Sequence, residues 1–388
     1  MKIAFIGQKG IPSLSGGVER HVEEIATRMA DQGHEVFVYV RNNYTDKNLK
    51  EYKNVKLIHL PSISTKRLDA ISHTFLATIH ALFQDYGIIH YQAIGPTSLS
   101  WIIKLFKRKT LLIATFHCQD YHHKKWDLFA QKYLRFGEYI TCNVPDKTIS
   151  VSNVLHDYAL KKYGVDTIFI PNGAKVNFNS GNDILSKWGI KDKRYILSVS
   201  RLIKHKGVHY LIEAFKRLED TNKVPNNFKL VVTGAGFYTD NYVEYLKTIS
   251  QGRDNIVFTG NCLGEDLEQL FSHAYLFVQP SESEGLSLTL LEAMGHKLAT
   301  LVSDIPENLE AIGRSGLSFK SKNVTDLENK LAYLLNKPGE VQDIGKLAKD
   351  RVDKEYSWDS VVQKTLQTYR DSALKKELKH HVWNSRKA

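Results

Sequence analysis

The sequence predicts an α/β protein built from two doubly wound, Rossmann-like domains. Short β-branched or apolar runs alternate with amphipathic helical stretches, which is the signature of parallel sheets. The alternation restarts after IFIPNGAKVNFN, and at 388 residues the chain exceeds what one hydrophobic core usually serves. The expected domains are residues 1–172 and 173–358, with 359–388 as a terminal helix and tail.

KIAFIG opens the first half as a strand. The helical stretch VERHVEEIATRMADQG follows, with Val18, Val22, Ile25, Ala26 and Met29 on one face and a stop at Gly33. Further strands read HEVFVYV, VKLIHL, GIIHYQA, TLLIATFH and TISVS. In the second half YILSVSRL, FKLVVTGAG, NIVFTG, YLFVQPS and LATLVS alternate with helices over 207–219, 240–251 and 264–273, and with one entering at about Leu286. Open sheets of this kind bind ligands at the carboxyl ends of their strands, so two such domains are expected to face each other across a cleft. The last stretch is helical, with Trp358, Val361, Val362, Leu366 and Tyr369 on one face. It is too long for its own domain and is expected to cross back to the first, leaving a basic tail beyond Leu378.

Composition excludes several classes. No run of eighteen apolar residues could span a membrane, and MKIAFIGQKG is too brief for a signal-peptide core. Cys118, Cys142 and Cys262 are widely spaced with no CxxC, which supports neither a disulfide framework nor a zinc site and points to a reduced cytoplasmic compartment. The formal charge of +11 is uneven, with 23 Lys/Arg against 15 Asp/Glu over residues 1–175. Such a bias fits an anionic membrane surface, nucleic acid or a phosphorylated ligand.

Three loops could hold a phosphate. GQKGIPSLSGGVERH carries Gly16 and Gly17 to the mouth of a helix, where backbone N–H groups and the helix dipole favour an anion; an ordinary glycine-rich turn reads the same. Neither GxGxxG nor GxxxxGK[ST] is met. SVSRLIKHKGV sets Arg201 and Lys206 around a turn at a strand's carboxyl end, suited to a diphosphate. SESEGLSLTLLEAMG adds a helix mouth with Glu284 before it and Glu292 eight residues on. On one helix, eight steps of about 100° would leave the two acids roughly 80° apart. Glu284 is expected instead in the loop above the mouth, with Glu292 about two turns down.

Together, GGVERHVEEIATRMADQGHEV, TFH at 115–117, PNG at 171–173, SRLIKHKG and the E-x7-E segment SEGLSLTLLEAM resemble the nucleotide-sugar-dependent glycosyltransferases of the GT-B fold, in particular retaining family 4. The similarity covers nearly the whole chain. It implies a GT-B fold and a hexosyl- or deoxyhexosyltransferase of bacterial cell-surface polysaccharide synthesis, acting without metal or cofactor. Gly16 and Gly17 would contact the donor diphosphate, and Arg201 with Lys206 would neutralise it. Glu284 would bind donor-sugar hydroxyls, helped by the amides of Gly285, Leu286 and Ser287, while those of Leu288 and Thr289 face phosphate. Glu292 would hold the ribose, and His117 would touch the sugar near the reacting carbon. The implied donor is a UDP-, GDP- or dTDP-sugar, its base read by loops 234–238 and 259–263.

The absence of any D-x-D argues against the metal-dependent alternative fold and for Arg201 and Lys206 as charge stabilisers. Retention would follow same-face attack, with Glu284 as a covalent nucleophile the second option. The chain departs from the pattern at IPENLEAI, where many relatives carry GGxxE, and this puts the contacts near Glu307 and Glu310 in doubt. The first domain should bind a glycan or lipid-linked acceptor. Its basic amphipathic segments WIIKLFKRK at 101–109 and HHKKWDLFAQKYLRF at 122–136 suit either an anionic membrane at the inner face of the plasma membrane or ordinary core helices. Two other readings are a nucleotide-sugar epimerase of similar fold and a nucleic-acid binder; no recognised nucleic-acid module occurs, and nucleic acid is not an expected partner.

Overall fold

The computed structural model describes residues 1–65, 68–119, 121, 128–236 and 240–385. It divides into unit 1, Met1–Asn172 with Trp358–Ala388, and unit 2, Gly173–Ser357.

Unit 1 is an eight-stranded sheet of β1 (Lys2–Ile6), β2 (Glu35–Arg41), β3 (Glu51–Tyr52), β4 (Val55–Leu60), β5 (Ile88–Gln92), β6 (Leu111–Phe116), β7 (Lys147–Ser150) and β8 (Ile168–Phe169). The order is β3-β4-β2-β1-β5-β6-β7-β8. All pairs are parallel except β3 with β4. The central strands are apolar on both faces, as helices covering both sides require. In helix Gly17–Asp31 the expected stripe is buried at Val22, Ile25, Ala26 and Met29, while Val18 is half-buried.

The terminal helix, Trp358–Ser385, packs in unit 1 as its apolar face demands. Val361, Val362, Leu366 and Tyr369 are buried. Tyr369 Oη lies 2.7 Å from His90 Nδ1, and Lys376 Nζ donates at 2.7 Å to the Asp146 carboxylate and to the Thr110 carbonyl.

Unit 2 is a six-stranded parallel sheet of β9 (Tyr195–Val199), β10 (Lys229–Thr233), β11 (Ile256–Gly260), β12 (Leu276–Gln279), β13 (Ala299–Ser303) and β14 (Leu317–Phe319). Its order is β11-β10-β9-β12-β13-β14. Ile196, Leu230, Val232, Val278 and Leu301 meet Leu211, Ile212, Phe215 and Leu218 of helix Val208–Asp220 in the core. Both sheets are doubly wound, in agreement with the fold class expected. In each, the winding reverses beside the central strand, between β1 and β5 in unit 1 and between β9 and β12 in unit 2. Loops diverge there, and ligands of open α/β sheets bind there.

Unit 1 buries His21, His73 and His90. Burial lowers the pKa of His21 to about 4, with its Asn172 hydrogen bond a partial offset, and lowers that of His73 to about 4. His90 is pushed well below the ordinary 6.5, again by burial. The unfolded chain therefore binds protons that the native state refuses once the pH drops below about 6.5. Stability is full above that value and falls toward pH 4, by up to about 1.4 kcal/mol per pH unit for each histidine. Urea midpoints should decrease from pH 7 to pH 5, and His73→Leu should make the decrease shallower.

Candidate functional site

At the reversal point of unit 2, the chain leaves β9 and makes a single 3-10 turn, Lys204–Lys206, closed by Gly207 at φ +69°. A Cβ at residue 207 would stand 1.9 Å from the Pro280 carbonyl oxygen, so only glycine lets the loops after β9 and β12 approach this closely. The Glu282 amide donates to the His205 carbonyl at 2.7 Å across the same contact. Lys206 Nζ then reaches both Glu284 oxygens, at 2.6 and 2.7 Å, with the two side chains only 15% and 8% exposed. Glu282 is held separately, by Tyr210 Oη at 2.9 Å and Lys322 Nζ at 3.2 Å. The half-buried Arg201 side chain has no hydrogen-bond or ion-pair partner among the described residues. One of the two expected cations is thus neutralised by the expected acid, and the other keeps its charge.

Glu284 lies in the loop, as expected, but the helix starts at Leu288, two residues later than the apolar pattern implied. Ser287 stops it, extended at φ −74°, ψ 115° and accepting from the Leu290 amide as N-cap. Gly285, Leu286 and Ser287 therefore belong to the loop, and Leu288 and Thr289 supply the first helical amides, which have no acceptor among the described residues. Glu292 is buried, and its carbonyl accepts from the backbone and the ring of His296, each at 2.9 Å. Of the two acids in IPENLEAI, Glu307 sits in the first turn of helix Pro306–Ile312, where burial, then the charges of Glu284 and Glu310, push its carboxyl pKa upward.

In unit 1, Gly16 takes φ +102° immediately before helix Gly17–Asp31. Four other amides of the glycine-rich loop are engaged within unit 1. The Lys9 amide donates to Glu19 Oε1 at 3.0 Å and the Ser13 amide to Glu23 Oε2 at 2.7 Å. The amides of Leu14 and Ser15 donate to Tyr44 Oη, at 2.7 and 2.9 Å. At the helix mouth the amides of Gly16 and Gly17 have no acceptor among the described residues. Glu19 lies so close that a Cβ on Gly16 would meet its carboxylate at 2.1 Å. No sequence signal marked Glu19, Glu23 or Tyr44.

His117 follows β6 and is 6% exposed. Its Nε2 lies 2.8 Å from Oε1 of Gln92, the last residue of β5, and its ring meets that of His21 edge-on at 4.8 Å. Gln92 too was missed by sequence reasoning. The expected reacting groups therefore fall into two sets: Arg201, Lys206 and Glu284 in unit 2, and His117 in unit 1.

Comparison with known proteins identifies similar chains. The family model "Glycosyltransferase Family 4" matches residues 15–178, and "Glycosyl transferases group 1" matches residues 182–351. An uncharacterised glycosyltransferase of Methanocaldococcus jannaschii is 26% identical, over 95% of this chain and 98% of the relative. The alpha-monoglucosyldiacylglycerol synthase of Streptococcus pneumoniae is 27% identical, over 76% of this chain and 69% of its own. Among solved structures, Anabaena HepE in complex with UDP-glucose superposes with a TM-score of 0.79 at 19% identity, covering 96% of this chain and all of that one, which shows a shared fold.

Gly207→Ala should destabilise the protein by about 1–2 kcal/mol from the left-handed backbone alone, and more because the Pro280 carbonyl must shift. A thermal melt would show the loss, while alanine at Gly252, also at positive φ but with nothing within 4 Å, should lose only the backbone share.

Proposed function

The chain belongs to glycosyltransferase family 4 with the GT-B fold, and we propose that it transfers a sugar, with retention, from a nucleotide diphosphate sugar bound by unit 2 to a glycan or lipid-linked acceptor. The observation that carries this reading is the Lys206 and Glu284 pair, set beside Arg201 and the open amides of Leu288 and Thr289 at one reversal point.

Breaking the bond from sugar to phosphate makes the sugar carbon oxocarbenium-like and loads negative charge onto the leaving diphosphate. Fixed cations and amides around that phosphate lower the barrier most, because they need no reorganisation as the charge develops. Arg201 is suited to bidentate contact, and Lys206 to a point contact. A diphosphate competes with Glu284 for Lys206; when it wins, the Glu284 oxygens turn to donor-sugar hydroxyls, with the loop amides at Gly285 to Ser287 alongside. Glu292 takes the ribose. Gly16 and Gly17 add amides to the diphosphate, and His117 touches the donor sugar. The leaving phosphate oxygen accepts the acceptor's proton, so attack comes from the face that departure opens and no metal is used. Glu284 acts in this scheme as a binder, since its oxygens, released by Lys206, are then occupied by donor-sugar hydroxyls.

The relatives support a nucleotide-sugar donor and a lipid-linked acceptor: the HepE structures hold UDP or UDP-glucose, and the S. pneumoniae relative is a glycolipid synthase by name. Cell-surface polysaccharide synthesis at the inner face of the plasma membrane is the proposed setting. No helix among the described residues is long and apolar enough to cross a membrane, so contact would be peripheral. Helix Ser100–Phe106 exposes Trp101, Leu105 and Phe106 beside Lys107, Arg108 and Lys109. Helix Leu128–Asn143 exposes Leu128, Phe129 and Phe136 beside Lys132 and Arg135; residues 122–127 of the second basic segment lie outside the described residues. Apolar side chains among cations are what an anionic bilayer takes up.

A thermal-shift screen over UDP-, GDP-, ADP- and dTDP-sugars should find one that stabilises the protein. With that donor, Lys206→Ala and Glu284→Gln should each lower transfer by about 10²-fold or more, and EDTA should leave it unchanged; near-normal turnover in either variant would remove these residues from the mechanism. In a flotation assay, the protein should rise with anionic liposomes at low salt and be released as salt shortens the Debye length. Phe106→Ser with Trp101→Ser should weaken that binding, and indifference of the parent protein to the liposomes would rule the surface out.

A further inference from the structure

A chain of buried amides and hydroxyls in unit 2 is used by none of these roles. Gln279, the last residue of β12, is 5% exposed and has both ends of its amide engaged. Its Oε1 accepts from Ser287 Oγ at 2.6 Å, and its Nε2 donates to Asn308 Oδ1 at 2.7 Å. Asn308, 1% exposed, donates through Nδ2 to the carbonyl of Ser303 at 3.2 Å and to its Oγ at 3.0 Å. Ser303 Oγ donates in turn to the Ser281 carbonyl.

The direction of this chain is set from one end. The Ser303 carbonyl can only accept, so the near end of the Asn308 amide is its NH2 and the far end its oxygen. That oxygen accepts, so the facing end of Gln279 is its NH2, and the end toward Ser287 is again an oxygen. The Ser287 hydroxyl must then give its proton to Gln279 and turn its lone pairs to the helix mouth, where the Leu290 amide donates to it.

We propose that Asn308 and Gln279 are positioning residues for the donor diphosphate, acting through Ser287. By fixing the Ser287 rotor they hold its cap on Leu290, and the amides of Leu288 and Thr289 remain aimed out of the helix as the phosphate contacts. The serine proton is committed inward, so phosphate is met by amides and not by that hydroxyl. Without Asn308 the Gln279 amide is free to turn over and present NH2 to Ser287, which releases the serine proton toward the mouth and loosens the cap. Asn308 lies within IPENLEAI, in the first turn of helix Pro306–Ile312. The inference rests on the donor-site reading above.

The test compares Asn308→Leu, Gln279→Met and the double variant with the parent protein in the full chain. UDP, GDP, ADP and dTDP are titrated calorimetrically to find the diphosphate that binds, and its matching nucleoside is followed by saturation-transfer NMR. Each single variant should weaken diphosphate binding about 10-fold with nucleoside binding unchanged. The double variant should be no worse than the worse single, since both cut one chain. Unchanged diphosphate affinity, or equal weakening toward the nucleoside, would overturn the inference while leaving the donor site standing. If the parent protein bound none of the four, the donor-site reading itself would fall. Should Asn308→Leu fail to fold, Gln279→Met interrupts the same chain at its next link and decides alone.

Discussion

The approach of Gly207 to the Pro280 carbonyl is the contact on which the unit 2 site depends. Parallel strands β9 and β12 are neighbours, but their outgoing loops wind in opposite directions, and adjacent strands leave about 4.8 Å between backbones. Side chains on both loops would hold them apart. Because residue 207 has no Cβ, its turn settles against the β12 loop, and the Glu282 amide closes the gap by bonding the His205 carbonyl. Residues 206 and 284 are then carried together by backbone alone, before any attraction between their charges counts.

That attraction is a poor device for stability. Two ions lose hydration on burial, and an apolar pair of similar volume usually serves as well or better, whereas removing one partner is costly because the other is stranded. The Lys206 and Glu284 pair makes sense when each ion has a second partner to exchange for the first. A diphosphate offers the lysine more negative charge than a carboxylate does, and sugar hydroxyls offer the carboxylate neutral donors. The pair holds both groups in a desolvated place, in a geometry set by Gly207, and limits the cost of burial until, in the proposed function, a ligand takes over each of them. Arg201, which has no partner among the described residues, is the cation there that the Lys206 and Glu284 pair leaves for an anion in the proposed donor site.

Periodicity made the winding of both sheets legible. Val22, Ile25, Ala26 and Met29 are a 3.6-residue stripe, and β1, β7, β9, β10, β11 and β13 are apolar runs that stop at glycine or serine. Where the fold was illegible, the segments were too short or the apolar signal ran past the true boundary. β3 has two residues and β14 three, below any period, and in GLSLTLL the leucines continue through the loop until the Ser287 cap decides where the helix begins. In the site, Arg201, Lys206, Glu284 and the helix mouth stood out because their chemistry is local to strand ends. Their supports did not. Lys206 and Glu284 are 78 residues apart, Gln92 and His117 25, Gln279 and Asn308 29, and Leu14 and Tyr44 30. Such pairs are defined by strand order and register, which no single stretch of sequence states.

The two glutamines share one physical logic. Gln92 ends the strand beside β1, and Gln279 ends the strand beside β9, so each stands at its own sheet's reversal point. Each amide oxygen meets a group that can donate to it, His117 Nε2 in one case and Ser287 Oγ in the other. A carboxylate would accept those protons more strongly, but it would add charge. Beside His117 it would favour the imidazolium, which in the proposed reaction would repel a sugar carbon that becomes positive as its bond to phosphate breaks. Beside Ser287 it would set a negative charge behind a helix mouth whose proposed task is to hold phosphate. An amide fixes the direction of a proton and leaves the field unchanged. For Gln92 this has a cost of about 1–3 kcal/mol, since its buried Nε2 has no partner among the described residues. A leucine would fill the space without that penalty, so the benefit of the amide lies in how His117 is held.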